Sequence, residues 1–192
     1  MTSAHVEAAR TARRPEAGDT ALLTAAGLAV LILRVAILGS PSAGVFLAVT
    51  YLLVGAVFVA VPVAADGQRL LSPATVVAIG LGGMALASFV APARLPAAPG
   101  AEALALNSLA AVSEEAFFRR FLYGRLLRYG PAAAIGISAL LFAAVHVPAY
   151  GIEVFWVDLG AGLLLSWQRW ASGTWAAPAA THVAANILAV IR

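Results

Sequence analysis

SEEAFFRRFLYGRLL, residues 113–127, places two glutamates and two arginines within seven residues of a chain that is otherwise almost free of charge. Of the 192 residues, 62% are hydrophobic and 11% are charged, whereas about a quarter of the residues in a typical soluble domain carry a charge. This composition predicts an integral membrane protein. In such a protein an ionisable side chain at membrane depth is costly, so it marks a candidate functional site.

Apolar stretches recur along the chain and are separated by proline, glycine or arginine clusters. They cover roughly 20–39, 42–64, 71–92, 101–125, 131–149, 152–168 and 174–191. Each is close to the ~20 residues with which a helix crosses a hydrocarbon core about 30 Å thick. The pattern predicts an all-α fold, a polytopic transmembrane helix bundle of about seven spans. These spans form one domain, residues 20–192, after a flexible cytoplasmic tail at 1–19.

The arginines are distributed unevenly between the two ends of the expected spans. If the N-terminal tail is cytoplasmic, most of them fall on the inner side, as positive charges in membrane proteins do. We therefore expect a multi-pass protein of the cell (inner) membrane with a cytoplasmic N-terminus. Arg34 falls inside the first span, where it must snorkel to the interface or pair with an acidic group across helices. The arginines lie between apolar runs, so no nucleic acid partner is expected, and the absence of cysteine excludes thiol chemistry.

The two glutamates of the opening stretch face different directions on a helix. Glu115 and Arg119 are four residues apart with the acid first, the favoured arrangement for an ion pair on one helix face. Glu114 is rotated by about 100° from Glu115, so it has no partner on its own helix and can face a cavity. A buried carboxyl group of this kind suits general acid or base catalysis.

Two further polar faces lie on the fifth and seventh expected spans. His146 follows Phe142 by one turn, and Pro148 is expected to break the helix just after it; His182 and Asn186 are also one turn apart. Singly, a packed histidine or a hydrogen bond between helices would explain each of these faces. Together they predict one site inside the bundle.

Depth along the helices tests whether the three faces can meet. If Arg125 and Arg128 mark the cytoplasmic interface, Glu114 lies about 17–21 Å deep, His146 about 22 Å and His182 about 15 Å at 1.5 Å per residue. Arg119 is then within the membrane and tolerable because it pairs with Glu115. Arg120 must find a backbone carbonyl, a headgroup or water.

The three faces also carry a resemblance to a known family. Residues 114–119 fit an EExxxR motif, residues 142–146 fit FxxxH, and residues 182–186 fit HxxxN. In this order, each on its own hydrophobic helix, they resemble the signature of the CPBP family of intramembrane proteases, which includes CAAX-prenyl endopeptidases and bacteriocin-processing relatives. The resemblance covers a motif-bearing core of about 70–192.

Membership would imply a role for each motif residue. Glu114 would be the catalytic glutamate that activates water together with His146, and His182 and Asn186 would stabilise the oxyanion. Glu115 and Arg119 would form a structural pair, with Phe142 as further support. The resemblance implies a glutamic endopeptidase without a cofactor, acting in the lipid bilayer on a membrane protein or a lipidated peptide. It leaves open whether the substrate is membrane-anchored, prenylated or a secreted peptide.

Three other interpretations remain open. Glu114, His146 and His182 would satisfy a catalytic zinc ion, which predicts an intramembrane metalloprotease, although an HExxH segment is absent. The same residues could form the proton relay of a membrane transporter. In a noncatalytic scaffold, Glu114→Ala would destabilise the bundle as much as Glu115→Ala, whereas a protease predicts a folded but inactive Glu114→Ala variant.

Overall fold

The computed structural model describes residues 17–37, 43–63, 69–90 and 100–190. Most of the expected tail, 1–16, lies outside the described residues. In the described part, the first half of the chain forms α1 (Ala17–Leu33) with a 3₁₀ turn (Arg34–Ile37), α2 (Ala43–Ala60), α3 (Pro73–Val90) and α4 (Ala101–Glu115). The helix of α4 continues as a π-helix (Ala116–Leu122), an α-turn (Tyr123–Leu126) and a 3₁₀ turn (Leu127–Tyr129).

The remaining helices complete an all-α bundle. They are α5 (Pro131–Tyr150), α6 (Phe155–Ser172), preceded by a 3₁₀ turn (Ile152–Val154), and α7 (Ala176–Val190). The described segments contain no β-strand, and their seven long helices correspond one for one to the seven apolar runs of the sequence. Turns at Gly130, Gly151 and Gly173 have φ of +95°, +90° and +71°, a region that favours glycine. The prediction of an all-α membrane bundle is confirmed.

Three of these helices are long and apolar enough to cross a membrane on their own: Gly18–Ile37, Ala43–Ala60 and Pro131–Tyr150. Their outer faces expose large apolar side chains, such as Leu22 at 70% and Val45 at 71%, which lipid can cover. The other helices are shorter, or carry the polar residues that face the interior. The protein is therefore a membrane protein whose polar groups are gathered between helices.

The π-helical segment lies at the centre of the packing. Phe117 and Phe121 contact Phe58 of α2, with ring centroids 4.7 and 4.9 Å apart, and Phe118 packs edge-on against Phe142 of α5 at 5.3 Å. These rings belong to the main hydrophobic core. Aromatic contacts of this geometry add stability beyond the apolar area that they bury, so the segment is firmly held between α2 and α5.

Two arginines fasten the end of α2 to the π-helical segment and its following turn. Arg120 donates to the carbonyl oxygens of Phe58 and Val61 at 2.6 and 2.8 Å, and Arg125 donates to that of Pro62 at 2.9 Å. The last carbonyls of a helix have no partner within it, so these bonds satisfy them. The expectation that Arg120 must find a carbonyl, a headgroup or water is met by carbonyls.

The prediction that Pro148 breaks the fifth span is wrong. The helix continues through Pro148 to Tyr150 and ends at Gly151. Proline in a helix costs mainly the hydrogen bond of its missing N–H to the residue four positions before it. The helix accommodates the loss of this one bond and continues for two residues after Pro148, so His146 remains within it.

Candidate active site

Glu114 is buried and bound by an arginine from a distant part of the chain. Its Oε1 accepts a hydrogen bond from Arg34 Nη1, and the two side chains are only 4% and 6% exposed. Arg34 stands in the 3₁₀ turn after α1, where its Nη1 is also 3.5 Å from the Tyr51 hydroxyl of α2. Of the two expectations for Arg34, pairing with an acidic group across helices is the one observed. The guanidinium compensates the charge of Glu114 in an apolar environment.

His146 faces the other oxygen of the same carboxylate. Its Nε2 is 3.7 Å from Glu114 Oε2, beyond hydrogen-bond distance, and its Nδ1 is 2.7 Å from the carbonyl oxygen of Phe142. A carbonyl only accepts, so Nδ1 carries the proton, and Nε2 of the neutral ring has a free lone pair. The two groups that the resemblance assigns to water activation therefore face each other.

Glu115 belongs to a second, separate cluster. Its Oε1 accepts from Arg119 Nη1 at 3.0 Å and from His182 Nδ1 at 2.9 Å, and both Glu115 and Arg119 are fully buried. The ion pair predicted from the four-residue spacing is present. His182 must carry a proton on Nδ1, because an ionised carboxylate only accepts hydrogen bonds.

Phe142 lies between the two clusters. Its ring centroid is 4.7 Å from that of His146 and 5.7 Å from that of His182, and the guanidinium carbon of Arg119 is 4.4 Å from it. The last contact has cation–π geometry. The phenylalanine of FxxxH thus contacts both histidines and fixes the space between them.

The π-helix gives Arg119 additional partners on α6. The backbone N–H of Tyr123 bonds to the carbonyl of Phe118, five residues back, and the carbonyl of Arg119 accepts from Arg169 Nε at 3.1 Å. Arg119 itself donates to the carbonyl of Gly162 at 3.3 Å. Local π-helical turns are frequent at functional sites, and this one fastens the EExxxR segment to α6.

Asn186 is a predicted site residue whose hydrogen bond lies outside both the Glu114 cluster and the Glu115 cluster. Its Nδ2 donates to the backbone carbonyl of Asn107 at 3.1 Å, about two turns before Glu114 on α4. The structure therefore brings together Glu114 with His146, and Glu115 with Arg119, His182 and Phe142. Asn186 lies one turn from His182 on the same helix and is bonded to α4 rather than to either histidine.

Three residues around the site were not among the predicted ones. Tyr51 contacts Arg34, Tyr150 stacks on His146 with ring centroids 5.9 Å apart, and Asp158 Oδ2 is 3.8 Å from His146 Nδ1. Asp158 had a usable signal, since it is an acid within an apolar run. The two tyrosines had none, because a tyrosine in a membrane helix is ordinarily interpreted as an interfacial anchor.

The proposed zinc ligands do not fit a metal site. No group of three or more histidine, aspartate or glutamate side chains among the described residues could hold a metal ion. The carboxylate of Glu114 is bound by a cation, and the Nδ1 of His182 is bound by Glu115. A tetrahedral zinc site with an open position needs three converging donors, and the candidates are divided between two clusters.

Comparison with known families supports an endopeptidase among the remaining interpretations. Residues 96–188 match the family of type II CAAX prenyl endopeptidases of the Rce1-like kind. The matched segment, just under half of the chain, is similar to this family. The resemblance to the CPBP proteases is thereby confirmed, and the Rce1-like match implies a CAAX-type endopeptidase that acts within the membrane. Every predicted site residue lies in the matched segment, whereas Arg34 and Tyr51 lie before it. No curated protein and no solved structure matches the chain.

Proposed function

We propose that this Rce1-like protein cleaves a peptide bond of a membrane-anchored, prenylated or secreted-peptide substrate with a water molecule activated by Glu114 and His146. The observation that carries the proposal is the facing pair formed by Glu114 Oε2 and His146 Nε2, 3.7 Å apart and nearly enclosed. A water molecule that donates to both atoms presents its lone pair to a carbonyl carbon. Arg34 occupies the other carboxylate oxygen, so the reactive oxygen is defined.

His146 then acts as base and acid in turn, while Glu114 positions the water. The lone pair on His146 Nε2 can accept a proton from the water molecule while Glu114 holds it in place, and the new hydroxide attacks the carbonyl carbon. Collapse of the tetrahedral intermediate returns the proton to the leaving nitrogen. General acid–base catalysis of this kind contributes roughly 10²–10⁴-fold in rate.

The oxyanion would be stabilised by His182 and Asn186. His182 already uses Nδ1 on Glu115, so Nε2 donates only when the ring is the imidazolium. Asn186 exchanges its bond to the Asn107 carbonyl for one to the oxyanion when substrate is present. Each donor of this kind is worth about 3–4 kcal/mol in comparable enzymes.

Cleavage by a reconstituted, full-length protein tests the proposal. The probe is a peptide with an S-farnesyl cysteine followed by three residues, presented in liposomes, with products identified by mass spectrometry. Wild type and Glu102→Gln, which removes an exposed acid from the same helix, are expected to cleave it, and Glu114→Gln is not. Equal cleavage by Glu114→Gln would refute the role assigned to Glu114. Proton-coupled flux without cleavage would favour the transporter.

We propose further that the mechanism needs no metal ion. The division of the zinc candidates between two ion-paired clusters supports it, since neither cluster offers three free donors. Metal analysis of the purified protein and cleavage after chelation provide the test. We expect substoichiometric zinc and unchanged activity with chelator. Stoichiometric zinc whose removal abolishes cleavage would show that the site rearranges to bind it.

A further inference from the structure

Asp158 is a partly buried acid that faces the outer nitrogen of His146. It stands in the first turn of α6, and its Oδ2 is buried, has no hydrogen-bond partner and lies 3.8 Å from His146 Nδ1. On the opposite side of the ring, Nε2 faces Glu114 Oε2 at 3.7 Å. One imidazole is thus flanked by two carboxyl groups, one at each nitrogen.

The packing of α5 against α6 fixes this arrangement. Gly162, one turn after Asp158, meets the backbone of Ala139 so closely that an added Cβ would lie 3.0 Å from it. Helices packed this closely have little room to shift, so the side chains of His146 and Asp158 keep their relative position. An acid in the first turn of a helix is favoured by the helix dipole even when it points to water, but that effect does not explain a buried oxygen aimed at an imidazole.

The charges around the ring give the two acids different roles. The charge of Glu114 is already opposed by Arg34, whereas Asp158 forms no comparable ion pair with an arginine among the described residues. The Phe142 carbonyl accepts the hydrogen bond from His146 Nδ1 and so orients the ring. It has no net charge, so it cannot offset the charge of an imidazolium. Asp158 is thus placed to stabilise the ring once it becomes a cation.

We propose that Asp158 is a positioning residue that stabilises protonated His146 and so allows it to pass a proton from the attacking water to the leaving amine. This inference rests on the proposed peptidase function. An O–H bond of water breaks, its proton binds Nε2, and its oxygen bonds to the carbonyl carbon. When the C–N bond breaks, the Nε2 proton moves to the amine nitrogen and the ring is neutral again.

Ring-nitrogen NMR tests the inference without substrate. Full-length protein with isotope-labelled histidine is compared with Asp158→Asn and with Glu153→Gln, which removes an exposed acid five residues earlier; His146→Gln assigns the signals. At a fixed pH, Asp158→Asn is expected to lower the protonated fraction of His146 and leave His182 unchanged. Identical His146 signals in wild type and Asp158→Asn would overturn the inference.

Kinetics on two probes separates proton delivery from a structural effect. The probes are the farnesylated peptide and its analogue with an ester at the scissile bond, whose leaving alcohol needs less protonation than an amine. Asp158→Asn is expected to lower kcat for the amide by about a hundredfold with KM similar, and to lower kcat for the ester less, because His146 takes the water proton in both reactions but must protonate the leaving group only for the amide. An equal loss on both probes would indicate a structural role and overturn the inference. If wild type cleaves neither probe, the peptidase proposal fails, and the NMR comparison still decides the role of Asp158.

Discussion

At the scale of single residues, the site is defined by how each buried charge is paired. Glu114 and Glu115 are neighbours in sequence, yet one pairs with Arg34 of another helix and the other with Arg119 and His182. The rotation of about 100° between adjacent helical residues is the cause. The two adjacent carboxylates are thereby held in different environments: that of Glu114 lies beside the proposed water position, and that of Glu115 lies in the protein core.

Removing Arg119 leaves Glu115 buried with only His182 as a partner. Arg119→Met is expected to lower the free energy of unfolding by about 3–5 kcal/mol, the typical cost of breaking a buried ion pair. Thermal unfolding in detergent measures it, with Arg128→Met as the control, because Arg128 is exposed. A loss of less than about 0.5 kcal/mol, the range of ordinary surface substitutions, would contradict the pairing.

The pair between Arg34 and Glu114 changes one expectation from the sequence. A folded but inactive Glu114→Ala variant was expected because Glu114 has no partner on its own helix. Since Glu114→Ala leaves the Arg34 guanidinium buried without its carboxylate, that variant is now expected to be destabilised as well. Its stability therefore cannot separate a protease from a scaffold, and the near-isosteric Glu114→Gln is the better test of catalysis.

At the scale of helices, α1 becomes part of the site although no motif lies on it. Arg34 lies 80 residues from Glu114 in sequence and reaches it because the 3₁₀ turn ends α1 beside α4. The Arg34 guanidinium thus joins the cluster formed by Glu114 and His146 of the matched segment.

A double-mutant cycle measures this link. Arg34→Gln and Glu114→Gln are each expected to destabilise the protein, and the double variant less than their sum, with a coupling of about 1–3 kcal/mol. Thermal unfolding supplies the four values, and cleavage is expected to be lost in both Glu114→Gln variants. Additive effects would mean that the two side chains do not pair in the membrane.

For Arg120 we expect the opposite, because its hydrogen bonds go to the end of α2 and not to the clusters of Glu114 and Glu115. Arg120→Gln removes its bonds to the carbonyls of Phe58 and Val61. Stability is expected to fall by about 1–3 kcal/mol, whereas kcat per folded molecule stays at the wild-type value. A selective loss of kcat with intact stability would show that Arg120 serves the reaction.

At the scale of the whole molecule, the features that could be predicted from the sequence are those that a single helix determines by itself. Apolar runs of about 20 residues gave the seven helices, and the four-residue spacing gave the pair of Glu115 and Arg119. The meeting of Arg34 with Glu114, or of Asp158 with His146, depends on how helices pack, and spacing in one helix carries no information on it. Pro148 was misjudged because a proline removes one backbone hydrogen bond and can kink a helix without ending it.

The π-helix at Ala116–Leu122 also could not be predicted, and it has a consequence for how the chain tolerates deletions. A π-turn holds one residue more than regular α winding needs. Excising a single residue there would let the backbone rewind as an ordinary α-helix while the turns on either side keep their places, whereas the same deletion in a regular α-helix turns everything after it by about 100°. A lost codon is therefore expected to be tolerated better in this segment than in the turns of α4 before Glu114, provided that Arg119 and Arg120 are kept.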